Sequence, residues 1–163
     1  MKEITFEELE VPQDLGTVEF QPVEESVKKF AYAVEDETGW FFGDPKEGWV
    51  HPVFLSNYLW WPEGFYLKEP GAIGHFTMFE EKYGHLIRYP FLHAKSNVDF
   101  INPFRIDKKL QAEVRLIEKY NKRDKDFIVI EAMFRDEDGT HIARYTHTAM
   151  INAHVSLRMG GIK

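Results

Sequence analysis

The segment Val50-His51-Pro52-Val53-Phe54-Leu55-Ser56-Asn57-Tyr58-Leu59-Trp60-Trp61 restricts the possible folds more than any other. Pro52 suits the first turn of a helix, where the N–H it lacks would have had no partner. Pro62 ends that helix, because proline disfavours helical geometry in the residue before it. Between the prolines, Val53, Phe54, Leu55, Tyr58, Leu59, Trp60 and Trp61 cover nearly the whole circumference. Only Ser56 and Asn57 offer a polar side, and a helix apolar all round is buried. About ten residues at about 1.5 Å each give about 15 Å, too short for a membrane and suited to the middle of a small domain. The rest of the chain must wrap it.

A chain of 163 residues with 44% hydrophobic content can build one core, so a single domain spanning residues 1–163 is expected. The absence of cysteine excludes disulfides, thiolate catalysis and cysteine-bound metal, and is compatible with a cytoplasmic location. A net charge of −7 argues against nucleic acid, because the one basic run, Asn121-Lys122-Arg123-Asp124-Lys125, is interrupted by aspartate and reads as a solvated turn. Neither end shows a signal-peptide pattern, and no apolar stretch reaches the length of a membrane span. The 15% aromatic content serves equally a core, a wide apolar pocket or a subunit interface.

Residues 1–14 read as an acidic, weakly patterned arm. Gly16–Gln21 alternates as a short strand, and Val23, Val27, Phe30, Ala31 and Val34 mark the apolar face of a helix. Gly and Pro make Glu35–Trp49 a loop, and the excursion from Glu63 to Tyr89 has only one helical candidate, Phe76–Tyr83. Leu92, Ala94, Ser96, Val98 and Phe100 then alternate as the buried side of a strand, with His93 on the opposite side. Leu110–Leu116 and Ile128–Phe134 alternate similarly, residues 121–126 turn, and Asp136-Glu137-Asp138-Gly139 signals a hairpin into a strand over Thr140–Ile151. This order predicts an α+β architecture, a curved antiparallel sheet wrapped around the Pro52–Trp61 helix. The open edge of such a sheet favours pairing with a second subunit.

Several stretches in this order resemble the MaoC-like hot-dog dehydratases and hydratases, from about Gly16 to Ile151. They are Phe30-Ala31-Tyr32-Ala33-Val34 and the Asp36 loop, His51-Pro52-Val53-Phe54-Leu55, Leu92-His93-Ala94, Asp99-Phe100-Ile101-Asn102-Pro103-Phe104-Arg105, Phe134-Arg135-Asp136-Glu137-Asp138-Gly139, and Ala143-Arg144. The resemblance implies a hot-dog fold and an acyl-thioester substrate carried by CoA or an acyl-carrier protein, with no cofactor. It also implies an active site in which an Asp and a His five residues later share acid–base work. Asp36 stands at the Asp position, but Phe41 occupies the His position and Thr38-Gly39 replaces the usual Asn-Pro. Shifting the register to Asp44 places Trp49 there instead. A phenyl ring moves no proton, so the chain resembles the non-catalytic partner of two-part enzymes, completing the acyl pocket of a catalytic hot-dog subunit. The residues implied for that pocket are His51, Ser56, Asn57, Tyr58, Trp61, Trp40 and Phe41.

Two other readings stay open. One is a self-sufficient homodimeric hydratase or thioesterase whose base is Asp36, His51, His93 or Asp99. The other is a non-enzymatic apolar-ligand or acyl-CoA binder, including a curved sheet of the nuclear-transport-factor type. His141 and His147, six apart on one strand, are too distant for one metal ion, and no serine sits in a Gly-x-Ser-x-Gly turn.

Overall fold

The computed structural model describes residues 4–35, 48–55, 75–88 and 91–152. In chain order the elements are β1 (Gln13–Phe20), α1 (Glu24–Ala33), β2 (Trp49–Val50), α2 (His75–Tyr83), β3 (Leu92–Phe100), β4 (Phe104–Arg105), β5 (Leu110–Lys122), β6 (Lys125–Asp136) and β7 (His141–Met150). Five strands form one antiparallel sheet in the order β1-β5-β6-β7-β3, and β2 pairs with β4.

The β5–β6–β7 meander follows directly from the alternation. Leu110, Ala112, Val114 and Leu116 are buried on one face with Ile128, Ile130, Ala132, Phe134, Ala143, Tyr145, His147 and Ala149. The other face carries charge, with Arg144 Nε donating to Glu131 at 2.6 Å. Arg123 and Asp124 close the first hairpin with φ of 54° and 56°. Two left-handed residues give the turn a twist that matches the strands it joins. In the second hairpin Asp136 Oδ1 accepts the N–H groups of Asp138 at 3.0 Å and Thr140 at 2.8 Å, and Gly139 takes φ 82°.

The segment Pro52–Phe54 opens as a 3₁₀ turn and Leu55 continues in helical geometry, with Phe54 and Leu55 buried in the core. The remainder of the expected helix, Ser56–Trp61, lies outside the described residues. The short β2–β4 pair anchors the approach to this turn. Val50 and Phe104 are buried beside each other in its register, and the Arg105 guanidinium sits 5.5 Å from the centre of the Trp49 ring.

Three expectations need correction. In α1, Val27 and Ala31 are buried, but Val23 and Val34 are exposed. Val23 is the extended N-cap and Val34 follows the last turn, so neither shares the helical face that their spacing suggests. The described part of the expected arm, residues 4–12, packs onto the sheet. Leu9 is buried, and Lys119 Nζ donates to the carbonyls of Phe6 and Glu7, both at 2.6 Å. Thr5 N–H donates to Glu8 at 2.8 Å, and the Glu8 N–H donates in return to the Thr5 hydroxyl at 3.4 Å. That reciprocal pair is a capping box, a signal present in the sequence as Thr5-Phe6-Glu7-Glu8.

The third correction concerns β3. Its register against β7 slips between His93 and Lys95, so that His93 faces Ala149 while Ser96 faces His147 and Val98 faces Tyr145. One extra residue reverses the side on which everything before it projects. The slip puts His93, not Leu92 or Ala94, on the side of Ser96 and Val98. Leu92, at 42% exposure, is not part of the core.

Candidate functional site

Two features converge where the helix start meets the inner face of the sheet at β3. The first is a cavity of about 120 Å³ lined by Val53, Leu55, Val98, Phe100, Phe134, Ala143 and Tyr145. Each lining residue arrives for a local reason. Val53 and Leu55 come from the turn that Pro52 starts, and the others are inward-facing positions of β3, β6 and β7. Val53 and Phe100 are also solvent-exposed, at 45% and 47%, so the cavity lies close to the surface along the edge strand. Its wall is hydrocarbon and aromatic, and suits an apolar chain.

The second feature is a line of polar side chains beside that cavity. Ser96 Oγ lies 2.9 Å from His93 Nε2 and 2.6 Å from the Tyr145 hydroxyl. The His93 and His147 rings are 4.9 Å apart between centres, and His147 is buried. The line runs inward from exposed His93, through half-buried Ser96, to fully buried Tyr145. Burial raises the Tyr145 phenol above its ordinary value of 10.0, with the Ser96 hydrogen bond pulling weakly the other way. The phenol therefore stays protonated throughout the neutral range.

His51 caps the helix start, its Nδ1 accepting the Val53 N–H at 3.2 Å. Its ring packs 5.6 Å from Phe30, which in turn meets Phe54 edge-on at 5.5 Å. Of the other expected site residues, Asp36, Trp40, Phe41, Ser56, Asn57, Tyr58 and Trp61 lie outside the described residues. Asp44 also lies outside them, and Asp99 is exposed on β3. Sequence reasoning missed Ser96, Tyr145 and His147. Ser96 and Tyr145 are 49 residues apart, and no local pattern marks them as partners. Among the described residues, no group of three or more His, Asp or Glu could hold a metal ion, and no helix is long and apolar enough to cross a membrane.

No family model and no curated relative matches the sequence. Solved structures do match. The R-hydratase PhaJ1 from Pseudomonas aeruginosa superposes with a TM-score of 0.57 at 13% identity, over 92% of this chain and 86% of that one. One chain of the HadBC (3R-hydroxyacyl-ACP dehydratase) complex from Mycobacterium tuberculosis gives 0.56 at 15%, over 81% and 90%. A MaoC-like dehydratase from Phytophthora capsici gives 0.64 at 12%, over 93% of this chain, which spans only 51% of that protein. The chain has the hot-dog fold. In hot-dog terms, β1, β5, β6, β7 and β3 are the curved sheet, and the Pro52 turn sets Phe54 and Leu55 into its core. The cavity lies between the Pro52 turn and the edge of the sheet, and Tyr145 joins it to the Ser96–His93 pair.

Proposed function

We propose that this hot-dog chain is the acyl-binding, non-catalytic part of a two-part hydroxyacyl-thioester dehydratase or hydratase. The observation that carries the reading is the apolar cavity between Val53, Leu55 and the inner face of β3, β6 and β7. It is a place for a short hydrocarbon segment with its polar end left toward the edge strand. At sequence level Phe41 stands where the resemblance to MaoC-like enzymes requires a histidine, so the acid–base pair must come from elsewhere. The superposable chains named above include (3R)-hydroxyacyl-thioester chemistry and a complex, which supports this class of substrate and partner.

The partner in this reading is a second hot-dog subunit paired along β3. This edge strand is nine residues long and ends in exposed Phe100, with exposed Ile101 following it, and an edge of that length invites pairing. The test is hydration of a crotonyl thioester by the chain alone and mixed with a hot-dog subunit bearing an intact Asp-x4-His loop. Activity is expected only in the mixture. Full activity of the chain alone would overturn the reading.

A further inference from the structure

A row of three polar side chains, Glu19, Gln111 and Arg135, crosses the face of the sheet opposite the acyl cavity. Gln111 of β5 is the register partner of Glu19 in β1 and of Arg135 in β6, so the three share one face. Their neighbours Phe20, Ala112 and Phe134 are buried on the other. The row lines a hollow of about 360 Å³, with Lys109, Asp136 and Glu137 among its other walls. That volume falls within the range of small-molecule sites, about 300–1,000 Å³. Some of its polar groups are already used. Asp136 Oδ1 accepts the N–H groups of Asp138 and Thr140, and Glu137 lies 3.6 Å from Lys108 Nζ. Arg135 is held far less. Among the described residues its Nε, shut off from solvent, meets no acceptor, and its Nη2 stands 3.9 Å from Glu113, beyond hydrogen-bond range. A guanidinium keeps its charge at any ordinary pH, and its flat edge suits an acceptor with two oxygens. At the other end of the row Glu19 receives the Gln111 amide at 3.5 Å, the limit of such a bond. The width of β5 separates these two opposite charges, since two interstrand spacings set their backbones about 10 Å apart.

We propose that this hollow binds a small zwitterion of the ω-amino acid class, its carboxylate on Arg135 and its ammonium on Glu19. The ligand needs both charges. Two cations, Lys109 and Arg135, stand in the wall against three carboxylates, Glu19, Asp136 and Glu137, so a bare anion meets net repulsion. A bare cation leaves the Arg135 edge without an acceptor. A zwitterion supplies both ends and adds no net charge. The breadth of β5 between Glu19 and Arg135 favours charges several bonds apart over the adjacent charges of an α-amino acid. The Gln111 amide, midway along the row, bridges the two ends. This site is independent of the acyl-pocket reading, because Phe134, which lines the acyl cavity, and Arg135 are consecutive residues on opposite faces of β6. The three residues of the row come from distant segments, and only the β1–β5–β6 pairing brings them together.

The experiment titrates the full chain with glycine, β-alanine, γ-aminobutyrate and ε-aminocaproate, following backbone amide shifts by NMR, with butyrate and butylamine as single-charge controls. Saturable shifts at Gln111, Arg135 and Gly139 are expected with γ-aminobutyrate or ε-aminocaproate. Glycine and both controls should bind at least about tenfold more weakly, the usual scale for one lost charge-assisted hydrogen bond. Arg135→Gln and Glu19→Gln should each weaken the favoured zwitterion by at least about the same factor, with circular dichroism checking that the variants are folded. Butyrate or butylamine binding as tightly as the best zwitterion overturns the proposal, since one charge would then suffice. Saturable shifts confined to the acyl cavity, no saturable shift with any of the four, or unchanged affinity in both folded variants also overturn it. Should a variant fail to fold, the ligand series and the shift map on the parent chain decide by themselves. None of these outcomes touches the acyl-pocket reading, which thioester hydration tests separately.

Discussion

Tyr145 shows how one buried group couples packing to pH. Its ring lines the cavity, its hydroxyl bonds Ser96, and burial holds the phenol neutral. In the unfolded chain the phenol ionises near its ordinary value of 10.0, and in the folded chain it does so only at higher pH. Above that ordinary value the unfolded state holds fewer protons, so stability falls as pH rises. Tyr145→Phe should remove this part of the alkaline loss, flattening the curve above about pH 10, as alkaline unfolding followed by circular dichroism would show. A steep alkaline limb unchanged in the variant would contradict the assignment. Ala143 tests the cavity from the other side. A leucine there fills space that is now empty, and cavity filling commonly adds about 0.5–2 kcal/mol. Ala143→Leu should therefore melt at or above the parent temperature while binding decanoyl-CoA at least about tenfold more weakly, roughly 1.4 kcal/mol by titration.

At the scale of elements, the meander holds itself together through its turns. Arg123 and Asp124 adopt left-handed geometry that costs a residue with a side chain about 1–2 kcal/mol each, and asparagine and glycine bear it more readily. Replacing the pair by Asn-Gly should stabilise the fold by about 1 kcal/mol or more. At about 2–4 °C per kcal/mol for a chain of this size, calorimetry should register a rise in Tm of a few degrees. The Asp136–Gly139 turn needs no such repair, since Asp136 accepts two backbone N–H groups and Gly139 supplies the positive φ. Both hairpins were legible because the turn and the alternation around it are local signals. β3 was legible only as a strand. Its slip between His93 and Lys95 has no mark in Leu92-His93-Ala94-Lys95 and shows only in the pairing with β7.

For the whole molecule, among the described residues the sheet ends on β1 at one side and on β3 at the other, and β3 carries exposed Leu92 and Phe100, exposed Ile101 just beyond it, and the mouth of a cavity. Under the proposed pairing with a second hot-dog subunit, β3 carries the contact. Phe100→Asp with Ile101→Asp places two charges in that contact and should shift the protein to monomer in light scattering without unfolding it, since both residues are already about half exposed. Persistence of a dimer in the double variant would locate the contact elsewhere.

The sequence by itself determined the α+β class, the meander, and the buried start of a helix at Pro52, because alternation, prolines and turn residues act over a few positions. It also showed that Phe41 cannot serve as a proton carrier, since that depends on the side chain alone. Tertiary structure decided what surrounds Ser96. His93 reaches it across a register slip, Tyr145 reaches it from 49 residues away, and Val53 and Leu55 close a cavity against strands formed by the other half of the chain. Contacts between distant segments depend on which residues of two strands are paired, and a single-residue shift reverses every face. No local pattern along the chain carries that information.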